Sequence, residues 1–209
     1  QGMNNIAAVF IVLGFDEATA LRGLLTLLRG CCEGYHGRDL AGFRRDAQVL
    51  DALARRLLPE SASRALERLG VPMELLASEH FLCLAAGSWP LAATVRLWDL
   101  ILMEGVPALF ASFLAVLELH LPNEDEQLAL EGAPEAGDPE AADPVIVFRR
   151  AALRGVHEDF GAVLERIHEL LAQMPMSLID HYPASAEVPA TSEARCVALV
   201  QGGLSRFTF

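Results

Sequence analysis

Apolar residues recur along this chain at intervals of three and four, segment after segment, the period of a helix with one buried face. Asp16 is placed to cap a helix whose apolar face runs Leu21, Leu24, Leu25 and Leu28, with Gly30 as its stop. A basic, glycine-containing loop from Gly34 to Arg38 follows. The next helix carries Leu40, Phe43, Ala47, Leu50, Leu53 or Ala54, and Leu57 on one side, and Pro59 ends it. Ser61 opens a shorter segment that runs through Leu69 to Gly70, and Val71-Pro72 turns the chain. Phe81, Leu82, Leu84 and Ala85 read as a densely apolar helix buried on most sides, broken by Gly87-Ser88-Trp89-Pro90. Leu91, Val95, Trp98 and Leu102 keep helical spacing up to Gly105. Pro107 suits the first turn of another helix, with Leu109, Phe110, Phe113, Leu114, Leu117 and Leu121 inward and Pro122 as the stop.

The pattern then breaks. Asn123 to Asp143 holds eight acidic residues, no basic one, and two prolines among alanines and glycines. Such a composition buries too little apolar surface to offset its ordering entropy, and predicts a flexible, solvated acidic loop. Beyond it Val145–Leu153 is predicted helical, and Phe160, Val163, Leu164, Ile167 and Leu171 form an amphipathic stripe that starts near Glu158 and Asp159 and ends at Met174-Pro175. From Ser177 onward the signal fades, apart from a short apolar element at Val197–Val200. Short connections between the helices predict one antiparallel helical array. No fixed-period repeat is present.

Composition supports the same class. Of the 209 residues 53% are hydrophobic, much of that Ala and Leu, while Tyr, Trp and β-branched residues are sparse, which favours helix over sheet. The net charge is −12, from 28 acidic and 16 basic residues, which argues against a nucleic-acid-binding face. The acidic stretch carries eight of those twelve charges, so the remainder is only mildly acidic. Cys31, Cys32, Cys83 and Cys196 follow neither a disulfide nor a metal spacing and read as reduced thiols. Ile6–Phe15 is too short to span a membrane, and the run from Phe81 to Met103 carries Arg96 and Asp99. His168-Glu169 is similar to the start of a zinc-protease helix, but Ala172 stands where the second histidine belongs, so no metal site is predicted. Phosphate-cradling glycine loops and a nucleophile elbow are also missing from the sequence.

Four stretches resemble the TBC-domain Rab GTPase-activating proteins. Gln1-Gly2-Met3-Asn4, followed by Ile6-Ala7-Ala8, resembles the family's Tyr-x-Gln-Gly-Met-Asn segment. Leu66 to Pro72 looks like the family's helix end before its core helices, and Ser88-Trp89-Pro90 is similar to its Ser-Leu-Pro turn. Arg96-Leu97-Trp98-Asp99, with Glu104-Gly105 downstream, matches the Arg-x-Trp-Asp signature. Order and spacing agree over about residues 1–121. Two departures mark a divergent member: His80 stands where the family commonly has Trp, and Trp89 where it has Leu.

The residue pattern predicts an all-α fold, and the resemblance implies the C-terminal part of a TBC domain over residues 1–122; the pattern adds the acidic loop (123–144), a helical segment packed on the domain (145–176) and an irregular tail (177–209). It implies a catalytic role for Gln1, whose amide would orient the attacking water on a partner Rab GTPase, with GTP and Mg²⁺ held by that partner and no cofactor of this chain's own. Gly2 would permit close backbone approach beside Gln1. Gly2, Asn4, Arg96, Trp98 and Asp99 are expected to be structural, with Arg96 and Asp99 paired at i, i+3 and the Trp98 indole finding an acceptor. The family's Ile-x-x-Asp-x-x-Arg run, which holds its arginine finger, does not occur in these residues. With Gln1 at the first position, the chain reads as one cut inside a domain, and by itself is expected to have little GAP activity and to fold poorly. A cytoplasmic protein recruited to endomembranes through its partners is the expected setting. A non-catalytic interaction module of TBC architecture is the alternative.

Overall fold

The computed structural model describes residues 2–121 and 143–179. Gln1, most of the predicted acidic loop, and the end of the chain with Val197–Val200 lie outside the described residues. What is described is all helix and turn: α1 (Met3–Val12), α2 (Glu17–Cys31), α3 (Ala41–Leu57), α4 (Glu60–Leu69), α5 (Met73–Leu82), α6 (Leu91–Glu104), α7 (Val106–His120), α8 (Pro144–Glu158) and α9 (Phe160–Gln173), then a 3₁₀ turn at Met176–Leu178. None of these helices is long and apolar enough to cross a membrane.

Local signals account for most of the boundaries. The Asp16 carboxylate accepts from the Thr19 amide at 3.0 Å and starts α2, and Asp159 does the same for α9 through Ala162. Gly70 ends α4 in the left-handed conformation, at φ 62°. Pro107 sits in the first turn of α7, where its missing N–H leaves no bond unmade.

The core is built around α7. Every residue from Ala108 to Leu117 is buried, so this helix has no solvent face in its middle turns. It is covered by α6 and α9, then by α8 and α5; α3 lies against α5, and α1 against α2. The α1–α2 seam is tight at Gly23, where a Cβ would come within 2.5 Å of the Phe10 ring. Tyr35, in the loop before α3, is fully buried and donates its hydroxyl proton to Asp46 of α3 at 2.5 Å.

Four sequence expectations need correction. Gly30 does not stop α2, which runs on to Cys31. The buried side of α2 is Ala20, Leu27 and Cys31; Leu21 and Leu25, expected inward, are exposed, because α1 approaches from the Ala20–Gly23 side. α8 runs to Glu158, five residues beyond Leu153. Leu84 and Ala85 are buried as expected but are not helical: α5 ends at Leu82, and the two residues take φ of 49° and 60°.

Candidate functional site

α1 begins on a backbone feature that only glycine supplies. Gly2 caps the helix with φ 95° and accepts from the amides of Asn5 (3.0 Å) and Ile6 (3.3 Å). It is buried, and a Cβ there would overlap the Leu82 carbonyl oxygen and lie 3.3 Å from Cys83 Sγ. The residue after Gln1 is therefore pressed against the end of α5, in a conformation and a space that both refuse a side chain. One turn further on, the Asn5 amide donates to Cys83 Sγ at 3.5 Å, and its nitrogen faces the Gly87 backbone. Burial pushes the Cys83 thiol up, and the Asn5 bond works against it.

The surface beneath Gly2 and Asn5 is the turn Leu82–Ala86. Two consecutive non-glycine residues in the left-handed region cost about 1–2 kcal/mol each, so the turn needs an outside restraint. Trp98 of α6 supplies one: its indole N–H donates to the Leu84 carbonyl at 2.8 Å. The Ala85 carbonyl accepts from the Trp89 amide (3.0 Å), the Ser88 amide (3.1 Å) and the Ser88 hydroxyl (3.2 Å), and lies 3.5 Å from the Thr94 hydroxyl, which is also 3.4 Å from the Trp89 carbonyl. The Ala85 amide closes the loop by donating to His80 O at 2.8 Å. Apart from half-buried Ser88 these residues are buried, where an unmade bond costs more than a made one contributes. The Trp98 ring also meets Phe10 near the other end of α1, with centroids 5.2 Å apart.

The residues singled out from the sequence divide into two sets. Gly2 and Trp98 meet on the same turn, Gly2 at Leu82–Cys83 and Trp98 at the Leu84 carbonyl. Arg96 and Asp99 do not reach it: they pair with each other at 3.6 Å on the outer side of α6, Arg96 largely exposed. Burial raises the Asp99 carboxyl and the Arg96 charge lowers it, burial being the larger effect. Asn4 is exposed and donates to its neighbour Asn5 at 3.2 Å. Gln1 lies outside the described residues. No motif marks Asn5 or Thr94, and Leu84 and Ala85 read from sequence only as helix. Gly87-Ser88-Trp89-Pro90 marks a turn, but Leu-Ala is a helix-forming pair and carries no local sign of a left-handed bend. Among the described residues no group of three His, Cys, Asp or Glu side chains is placed to hold a metal ion.

Residues 1–124 match the family model described as the Rab-GTPase-TBC domain. The chain belongs to that family of Rab-GAP-type modules. It is 33% identical over 121 residues to Growth hormone-regulated TBC protein 6 of Caenorhabditis elegans, covering 58% of this chain and 36% of that protein. It is 32% identical over 120 residues to Growth hormone-regulated TBC protein 1 of Homo sapiens, covering 57% and 35%. Similarity to Carabin of Mus musculus is 30% over 193 residues and reaches 90% of this chain, with 42% of Carabin covered. The chain thus spans well under half the length of these relatives. No solved structure matches it significantly.

Proposed function

We propose that this chain carries the glutamine-bearing part of a Rab GTPase-activating domain, and that Gln1 orients the water that attacks the γ-phosphate of GTP on a partner Rab. An amide offers a donor and an acceptor in one plane, which suits it to holding a water in line with the bond that breaks. GTP and Mg²⁺ belong to the GTPase, so this chain needs no cofactor. The setting is a cytoplasmic protein that meets Rab proteins at endomembranes through its partners.

One observation carries the reading: Gly2 is locked against Leu82, so the backbone immediately after Gln1 has a single path. A group that must be placed to a fraction of an ångström benefits from such a base. No arginine of these residues sits in an Ile-x-x-Asp-x-x-Arg run, and none is assigned as the finger.

The test is GTP hydrolysis by a panel of Rab proteins with the native full-length protein. At least one Rab is accelerated, and Gln1→Ala lowers that acceleration by about a hundredfold or more. No acceleration of any Rab, or none lost in Gln1→Ala, overturns the assignment. Binding of GTP-loaded Rab without acceleration selects the non-catalytic interaction module instead.

A further inference from the structure

The indole of Trp98 touches the mounting of α1 at two places, the Leu84 carbonyl under the Gly2 end and the Phe10 ring toward the other end. Thr94, one helical turn earlier on α6, has its hydroxyl between two carbonyls of the same loop, Trp89 at 3.4 Å and Ala85 at 3.5 Å. A buried indole N–H needs an acceptor in any case; what matters here is which carbonyl it takes. Here the bonded carbonyl belongs to the first of two strained residues, and the residues just before it, Leu82 and Cys83, are those that Gly2 and Asn5 meet. Relaxing the turn toward ordinary backbone angles would move Leu82 O and Cys83 Sγ, the two atoms Gly2 rests on.

We infer that Trp98 and Thr94 are positioning residues: through the Leu84–Ala85 turn they fix the seat of Gly2, and so the direction in which the chain presents the residue before it. This deepens the reading of Gln1 as the water-orienting group and rests on it. Neither side chain touches substrate; their effect passes through backbone.

A double-mutant cycle in the native full-length protein tests this, with kcat and KM measured on GTP-loaded Rab. Trp98→Phe keeps an aromatic ring and removes the N–H donor. It lowers kcat by roughly tenfold to a hundredfold, as expected for an ångström-scale misplacement, and leaves KM within about twofold. In the Gln1→Ala background the same change has almost no further effect, because the two residues act as one unit. Amide exchange at Asn5 and Ile6 quickens in Trp98→Phe. Leu170→Ala, on α9 away from the turn, lowers thermal stability but keeps kcat. Should Trp98→Phe fold poorly, Thr94→Val, which loses only a hydroxyl, runs the same cycle with the same expected pattern.

Equal loss of kcat in both backgrounds, unchanged kcat in Trp98→Phe, or the same loss in Leu170→Ala overturns the positioning role while leaving Gln1 its function. Unchanged kcat in Gln1→Ala removes the glutamine reading, and this inference with it.

Discussion

His80 sits in surroundings that its chemistry does not prefer. It is 4% exposed and ringed by Phe81, Trp89 and Phe113, with centroids 5.8, 5.2 and 5.3 Å away. Its Nε2 lies 2.9 Å from Ser112 Oγ, whose own proton goes to Leu109 O at 2.8 Å. Ser112 therefore accepts, and Nε2 is the protonated nitrogen of a neutral imidazole. Burial drives the ring down from its ordinary 6.5 to about 3, against a smaller opposing effect of the Leu109 backbone. The unfolded chain takes up this proton first, so His80 contributes fully above about pH 6.5 and progressively less as pH falls toward 3. Urea unfolding of wild type and His80→Phe between pH 7 and pH 4 should differ in slope by about 1.4 kcal/mol per pH unit at the steepest, wild type falling faster in acid. Parallel acid limbs would contradict a neutral, buried His80. From sequence this position was recognised as a departure from the family's usual Trp, and the structure places it inside an aromatic cluster where a larger ring would also be buried.

At the level of the helix, periodicity located the elements better than their orientation. For α9 the expected stripe was Phe160, Val163, Leu164, Ile167 and Leu171, whereas the fully buried residues are Val163, Ile167 and Leu170. A helix with leucines at both 170 and 171 has two nearly equal faces, and only α7 decides which one is covered. The two leucines give a direct comparison: Leu170→Ala should cost about 2–5 kcal/mol, and Leu171→Ala, half-buried at the rim, roughly half as much or less. Thermal melts of both variants check this, and equal losses would mean that α9 is rotated from its described position. A partly buried ion pair marks the same seam, with Arg166 2.8 Å from Glu118 of α7 and 2.6 Å from Glu169 of its own helix. For α2 the expected Leu stripe was likewise off, because Phe10 packs against Gly23, a residue with no side chain for a periodicity count to register.

In the whole molecule, α7 is the shaft and the segment after the acidic stretch is part of its cover. The family match ends at residue 124, yet α8 and α9 bury Phe148, Val163, Ile167 and Leu170 against the rest of the core. Similarity to Carabin also runs beyond that limit. Ending the chain after Leu121 would uncover one side of a helix that has no polar face in its middle turns. That variant is expected to bind more hydrophobic dye, and to aggregate more on size-exclusion chromatography, than the same chain with α8 and α9 kept. A monodisperse, dye-negative product would show that α8 and α9 are dispensable.

The sequence by itself determined the helical class, the order of most helices and the family, because caps, prolines and apolar spacing act within a few residues and leave a local record. The sequence also marked Trp98 as an indole in need of an acceptor, and Gly2 as a glycine beside Gln1, without its contact to Leu82. What the sequence could not show was that these two meet on one turn. Leu84 and Ala85 are left-handed because Trp98, Thr94 and Ser88 hold their carbonyls, and two of those partners come from another helix. Local propensity reads Leu-Ala as helix; the buried bonds of the assembled fold override it. Tertiary structure alone decided where α1 is seated, since that seat is made of atoms about eighty residues away in the chain.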